Sequence, residues 1–253
     1  DDKRRLSPAV SLSWRPFSES TLRIRASYKD IFRVPTFTDL YYLRMGNTNL
    51  KPEETSQYNV GVTWSSSCGD WLRHFSISAD GYYNTVKDKI VALPTMYVWK
   101  MMNMGEVDIK GVDVNLSTQF RLPLRMSLLL ASTYSFQYAV DVTDPEAKNY
   151  KDQIPYTPRH SGTVSVTLEN PWVNVSYILT AVGDRYALPQ NIDRNRIDSY
   201  IEQSISINRD FRFRYFGLRL QGELLNLANV NYDVIQYYPM PGRSWRLSVC
   251  LSY

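Results

Sequence analysis

The chain ends in the ten residues SWRLSVCLSY, at positions 244–253, and this stretch decides the fold class. Trp245, Leu247, Val249 and Leu251 are apolar, whereas the residues between them are Arg, Ser and Cys. Alternation with a period of two places the two sets on opposite faces of a β-strand. One face therefore meets apolar surroundings and the other meets polar ones, as in an antiparallel sheet.

The same alternation recurs along the whole chain of 253 residues. Together with the terminal strand, the upstream segments predict an all-β protein of about eleven antiparallel strands, with no helix longer than a turn or two. The ten upstream segments are 10–15, 22–29, 57–64, 75–84, 112–120, 126–138, 163–168, 172–182, 200–208 and 216–225.

The connections between these strands alternate in length. The short ones are predicted at 16–20, 65–70, 121–124, 169–171 and 209–215, and the long ones at 31–54, 91–103, 140–159, 186–197 and 228–242. A meander with short turns at one end and long loops at the other is typical of bacterial outer-membrane β-barrels. Four tryptophans lie at strand ends beside short turns, which predicts an interfacial aromatic girdle: Trp14, Trp64, Trp71 and Trp172.

Composition excludes several other classes of protein. The mean hydropathy is −0.36, and the longest apolar runs are about four residues, against the roughly 20 that a membrane-spanning helix needs. Two cysteines exclude a disulfide scaffold and a four-cysteine zinc site. A formal net charge of +4 does not indicate nucleic-acid binding. Arg209, Arg212 and Arg214 are interleaved with aromatics in a short turn, which favours an interfacial cluster.

Eleven strands do not make a closed barrel, because single-chain bacterial barrels have even strand numbers. Eleven is half of the 22 strands of plugged outer-membrane transporters. We therefore expect the C-terminal half of a 22-stranded barrel, without the first half and the plug. Its polar face should form an inner wall made by Arg23, Arg25, Lys29, Asp80, Asp113, Arg219, Glu223 and Arg246. The apolar phase changes at Lys110–Gly111, which predicts a β-bulge there.

Two sequence boxes near the start of the chain carry a family resemblance. FRVPTFTDLY at 32–41 and GNTNLKPE at 46–53 resemble paired boxes of TonB-dependent outer-membrane receptors. Further matches are NMG at 103–105, KGVD at 110–113, LNL at 225–227 and PGR at 241–243. Val34 stands where the family usually has Ala, and Asp113 stands where it usually has Glu.

The resemblance implies a receptor β-barrel domain over residues 1–253, with Tyr253 similar to the family's C-terminal assembly signal. The implied partners are a plug domain and the N-terminal half of the same receptor, and TonB through the absent N-terminal region. Outer-membrane lipid and a surface lipoprotein over the loops are further expected partners. Short turns would be periplasmic and long loops extracellular. The implied activity is energised transport rather than catalysis, with no cofactor, no catalytic residue and no metal site.

Within the family, the chain most resembles cobalamin receptors in their Bacteroidota form, through KGVD, ENPW at 169–172 and YYPMPGRSW at 237–245. The long loops offer aromatic and cationic side chains suited to a large ligand. These candidate ligand-binding residues are Tyr41, Tyr42, Arg44, Tyr97, Trp99, Tyr150, Tyr237 and Tyr238. A siderophore or haem receptor is the alternative, although no histidine lies between the two boxes.

A non-transporting barrel, either adhesin-like or enzymatic, is the remaining alternative. The chain has no P-loop, dinucleotide fingerprint, HExxH motif or nucleophile elbow. His160-Ser161 is the one local hint of catalysis, because outer-membrane barrel enzymes use such pairs. The expected interpretation is therefore a transporter that imports a scarce, large nutrient.

Overall fold

The computed structural model describes residues 6–95 and 97–252, so Tyr253 and its expected role in assembly lie outside the described residues. Within them, eleven antiparallel strands form one open sheet in the form of half a barrel, which confirms the predicted fold class. The strands are β1 (Ala9–Trp14), β2 (Arg23–Arg33), β3 (Glu53–Cys68), β4 (Leu72–Pro94), β5 (Trp99–Leu122), β6 (Met126–Asp141), β7 (His160–Glu169), β8 (Asn174–Val182), β11 (Tyr200–Arg212), β12 (Gly217–Leu225) and β15 (Ser244–Ser252). Two small hairpins pair β9 (Arg185–Tyr186) with β10 (Arg196–Ile197) and β13 (Asp233–Ile235) with β14 (Tyr238–Pro239).

All five short turns are at one end of the sheet, as the sequence predicts. They occupy residues 15–22, 69–71, 123–125, 170–173 and 213–216. The opposite end carries the long loops 34–52, 142–159, 183–199 and 226–243. The loop at 34–52 holds the helix α1 (Phe37–Tyr41), so it is shorter and more ordered than the structureless segment 31–54 that the sequence predicts.

The prediction of a long connection at 91–103 is wrong. β4 continues for 23 residues to Pro94 and β5 begins at Trp99, so only residues 95–98 connect them. The ladder runs to the pair Pro94–Trp99. In the sequence, Pro94 suggests a loop. In the structure β4 ends at this residue, where the ladder stops and the missing backbone N–H of proline is tolerated.

The pairing register keeps polar and apolar residues on separate faces of the sheet. One row across adjacent strands is Ile24, Val62, Ala79, Val114 and Tyr134. The row beside it is Arg25, Gly61, Asp80, Asp113 and Ser135. Because side chains alternate along each strand, these rows lie on opposite faces. All eight residues predicted to share the polar face do share it: Arg23, Arg25, Lys29, Asp80, Asp113, Arg219, Glu223 and Arg246.

Ion pairs connect neighbouring strands on the polar face. Arg25 Nη2 lies 2.9 Å from Asp80 Oδ1, and the two side chains meet above Gly61 on the strand between them. A Cβ atom at Gly61 would lie 1.9 Å from that carboxylate oxygen, so glycine permits the close approach. Two further pairs join Arg219 to Asp210 at 2.6 Å and Arg246 to Glu223.

A small hydrophobic core lies at the long-loop end of the polar face, and it explains why the predicted bulge is wrong. β5 pairs with β6 without interruption from Val107 to Leu122. Val107, which is 0% exposed, and Ile109 lie on the same face as Asp113, where Ile154 from the loop 142–159 covers them. The apolar residues of β5 therefore change from one face to the other near Lys110, because a loop buries this part of the polar face. Register shifts occur instead at Ser66–Cys68 and at Leu72–His74.

Tryptophans lie at the short-turn end of the sheet. Trp14 pairs with Ile24, and Trp64 pairs with Ile77, so both lie on the apolar face. Trp71 stacks on Phe120, with ring centroids 5.8 Å apart. Trp172 is exposed in its turn. None of the helices formed by the described residues is long and apolar enough to cross a membrane.

Candidate functional site: the long-loop rim

The two sequence boxes meet in space around Arg33. Its guanidinium contacts Asp39 Oδ2 at 3.0 Å and Glu53 Oε2 at 3.6 Å, so it links the loop 34–52 to the strand that follows it. Thr36 caps α1, because its hydroxyl accepts from Asp39 N and its backbone N–H donates to Asp39 Oδ2. Burial of Asp39 acts to raise its pKa, but the bonds from Thr36 and Arg33 outweigh that effect and lower the pKa.

The NMG match at 103–105 also contacts this cluster, through Asn103. Asn103 Oδ1 accepts from Lys51 N at 2.8 Å, and Asn103 Nδ2 donates to the carbonyls of Lys51 and Asp88. Asn47 Nδ2 donates to Met101 O at 3.1 Å. These contacts of Arg33, Asp39, Glu53, Asn47 and Asn103 thus position the loop that carries Tyr41.

Gly46 is required in this cluster because backbone passes directly over it. A Cβ there would lie 2.5 Å from Leu40 O and 2.7 Å from Tyr41 N. Gly46→Ala should therefore shift the end of α1 and weaken the loop by about 1–3 kcal/mol, the range for overpacking. Limited proteolysis of the full-length receptor should cut the loop 34–52 at least fivefold faster. Gly222→Ala, whose Cβ would meet nothing within 4 Å, is the control; equal cleavage rates in the two variants would contradict the packing argument.

The structure places the predicted ligand-binding residues in two groups and three single positions. Tyr41, Tyr42 and Arg44 lie together at the end of α1, and both tyrosines are exposed. Arg44 has φ +67°, a left-handed conformation in the turn that follows α1. Tyr97, 90% exposed, lies at the β4–β5 tip. Tyr237 and Tyr238 are exposed on the last long loop, with eight strands of the sheet, from β3 to β12, between them and the first group.

Two of the predicted residues pack against protein instead of standing free. Trp99 lies against the Tyr156 ring at a centroid distance of 5.7 Å. Tyr150 is half-buried under Lys151, whose Nζ lies 5.2 Å from the ring centroid. Burial raises the pKa of Tyr156. Trp99 and Tyr150 therefore fit a structural role better than the exposed tyrosines do.

Arg185 is a residue of the rim that sequence reasoning missed. It is 3% exposed, and its guanidinium donates to the carbonyls of Asp198, Asp233 and Val234. Its Cζ atom also lies 5.5 Å from the Tyr200 ring centroid. A buried cation held mainly by carbonyls fixes the loop 183–199 against the loop 226–243. Nothing in the local sequence distinguishes it from the exposed arginines nearby.

Hydrogen bonds join the loop 34–52 to β5, and join the three later long loops to one another. Met101 N donates to Met45 O, Tyr156 N donates to Tyr186 O, and Gln236 Nε2 donates to Arg194 O. His160 Nδ1 lies 2.8 Å from the Tyr134 hydroxyl. Among the described residues, no three His, Cys, Asp or Glu side chains cluster so as to hold a metal ion.

Comparison with known families agrees with this architecture. The family described as "TonB dependent receptor-like, beta-barrel" matches residues 1–227. The chain belongs to the TonB-dependent receptor family. The family is one of outer-membrane receptors and transporters, so the sheet is part of an outer-membrane barrel.

Two curated relatives of the chain are named as vitamin B12 transporters. The chain is 27% identical over 236 residues to "Vitamin B12 transporter BtuB" of Photobacterium profundum, covering 89% of this chain and 34% of that protein. It is 24% identical over 225 residues to the protein of the same name from Vibrio vulnificus, covering 86% and 33%. The chain thus spans about a third of these relatives, and the predicted Bacteroidota form stays a prediction.

Solved structures share the fold at low sequence identity. The copper transporter OprC superposes with a TM-score of 0.73 at 17% identity, covering 97% of this chain and 38% of that chain. The ferric citrate transporter FecA, in its unliganded form, gives 0.72 at 12% identity, with 97% and 38% covered. Proteins named for different cargoes therefore share this half-barrel, and the fold does not identify the ligand.

Proposed function

We propose that residues 1–253 form the C-terminal half of the barrel of a TonB-dependent transporter that imports cobalamin. The observation that carries the proposal is the group Tyr41, Tyr42 and Arg44, exposed on a loop that the boxes hold in place. The similarity to vitamin B12 transporters over most of the chain supports the substrate. Stacking faces and a planar cation suit a large ligand rich in amide groups.

The rest of the receptor would supply what this chain lacks. In this proposal the polar face lines the lumen, where its ion pairs and hydroxyls meet the plug domain. The short turns lie in the periplasm and the long loops lie outside the cell, where a surface lipoprotein can cover them. TonB acts through the N-terminal region and energises release of the ligand. No residue of the chain performs catalysis in this scheme.

Replacing Tyr41, Tyr42 and Arg44 together with Ala tests the proposal. The full-length receptor should lose about 2 kcal/mol or more of cobalamin binding, which is roughly 30-fold in Kd, because such residues dominate binding energies. Calorimetric titration of the purified receptor measures this change. Tyr215→Ala, which removes an exposed tyrosine at a short turn, is the matched control. Unchanged affinity in the triple variant would remove these residues from the site.

A ferric siderophore is the second candidate ligand, with haem as a related alternative. The observation that favours it is the exposed guanidinium of Arg44 beside the two exposed tyrosines. Cationic loop groups such as Arg44 would suit an anionic iron chelate. Titrating the wild-type receptor with cobalamin, ferric citrate and haem separates these ligands. Tight binding of an iron chelate or haem without cobalamin binding would overturn the proposed substrate.

A further inference from the structure

A groove on the apolar face crosses β11, β12 and β15 near the short turns. Its volume is about 520 Å³. Gly222 forms its floor, because this residue pairs with Ile207 on one side and Leu247 on the other, and a Cβ there would meet nothing within 4 Å. Apolar side chains of the neighbouring positions form the walls: Ile205, Ile207, Leu220, Leu224 and Leu247.

Arg209 lies at one end of this groove, on the face that meets lipid. It is two residues beyond Ile207 on β11 and pairs with Leu220, so it shares the apolar face. Its guanidinium lies 4.8 Å from the Phe211 ring centroid. The adjacent carboxylate, Asp210, lies on the polar face and pairs with Arg219. Among the described residues no carboxylate forms an ion pair with Arg209, although the side chain is exposed.

A cation on a lipid-facing surface is stable near the interface and in contact with an anion. Arg209 is three residues from the end of β11, about 10 Å at the strand rise per residue. That distance places the guanidinium near the head-group level, where phosphates are available. From Arg209 to Ile205 the groove extends for about 14 Å, enough for a large part of an acyl chain.

We propose that this groove binds one phospholipid, with the phosphate on Arg209 and an acyl chain over Gly222. The guanidinium fork matches phosphate oxygens, and the apolar walls match the chain. The missing side chain at Gly222 provides the depth. The other residues that line the groove, Asn208, Gln221 and Glu223, direct their side chains to the polar face. The site rests on insertion of the barrel in the outer membrane and is independent of the proposed substrate.

Native mass spectrometry of the full-length receptor in a mild detergent tests the site. With dioleoylphosphatidylglycerol as the probe, the wild type should bind one lipid more tightly than all others. Arg209→Gln should weaken that binding at least tenfold, and Gly222→Leu at least fivefold by filling the floor. Arg212→Gln is the matched control, since Arg212 lies on the same strand and opposite face, and it should stay within twofold of the wild type.

A wild-type measurement keeps the test independent of any variant. Dioleoylglycerol, which has the same chains without the phosphate, should bind at least tenfold more weakly than the phospholipid. Equal binding of the two lipids, or wild-type affinity in both Arg209→Gln and Gly222→Leu, would overturn the proposal. Tighter binding of lipid A than of phosphatidylglycerol would also overturn it. Cobalamin titration of Arg209→Gln should be unchanged, so failure here is distinguishable from failure of the proposed function.

Discussion

Arg185→Met should release the loop 226–243 from the rim, with an expected loss of about 3 kcal/mol in the free energy that holds this loop in place. The guanidinium is almost fully buried and donates to three carbonyls, from Asp198, Asp233 and Val234. Without it these part-buried carbonyls lose their donor, and a hydrogen bond to a charged group contributes about 1.5–3 kcal/mol. Methionine fills similar space but donates nothing.

Hydrogen exchange on the full-length receptor measures this effect. Amides of the loop 226–243 should exchange roughly 100-fold faster in Arg185→Met, since about 1.4 kcal/mol corresponds to a factor of ten. Arg196→Gln is the control on the same loop as Arg185. Its pairs with Asp184 and Asp198 are solvent-exposed, so their loss should cost under about 1 kcal/mol. Equal protection of the loop in wild type and Arg185→Met would show that Arg185 does not hold it.

Val60→Arg should prevent most receptor molecules from assembling in the membrane. The reason is that Val60 lies in the middle of β3 on the apolar face. Its side chain is 59% exposed in this half-barrel and shares a row with Leu12, Ala26 and Val112. An arginine that faces lipid at the bilayer midplane costs about 2–4 kcal/mol. The amount of heat-modifiable, folded receptor in outer-membrane fractions reports the loss.

Asn59→Arg is the matched control for the two faces. Asn59 is the preceding residue, and it lies on the polar face, where its amide donates to Ser27 Oγ at 3.4 Å. This variant should assemble at near wild-type levels, since the new cation meets the polar interior. Failure of Asn59→Arg together with assembly of Val60→Arg would reverse the assignment of the faces.

Much of the barrel was predictable because each strand is indicated by the alternation of apolar and polar residues within its own segment. Alternation at Ser244–Ser252, and the same pattern in ten other segments, determined the number of strands and which residues share a face. The short turns could be read for the same reason, because the polar–apolar period breaks at each of them. Even the family boxes were visible as motifs, although the sequence did not show that Arg33, Asp39 and Glu53 meet.

The failures are at the long-loop end, where tertiary contacts replace the local pattern. Val107 and Ile109 suggested a bulge, but a loop distant in sequence covers them, and the ladder is unbroken. Among the predicted ligand residues, exposure separates Tyr41 and Tyr42 from Trp99, which packs on Tyr156.

The sequence by itself determined the strands, the two faces and the family of this protein, because each of these depends on residues close together in the chain. The tertiary structure decided how the loops join at Arg185, which aromatic residues remain exposed, and where Gly222 opens a groove beside Arg209. These features depend on neighbours supplied by other strands and loops. Only the pairing register and the packing of the loops bring those neighbours together.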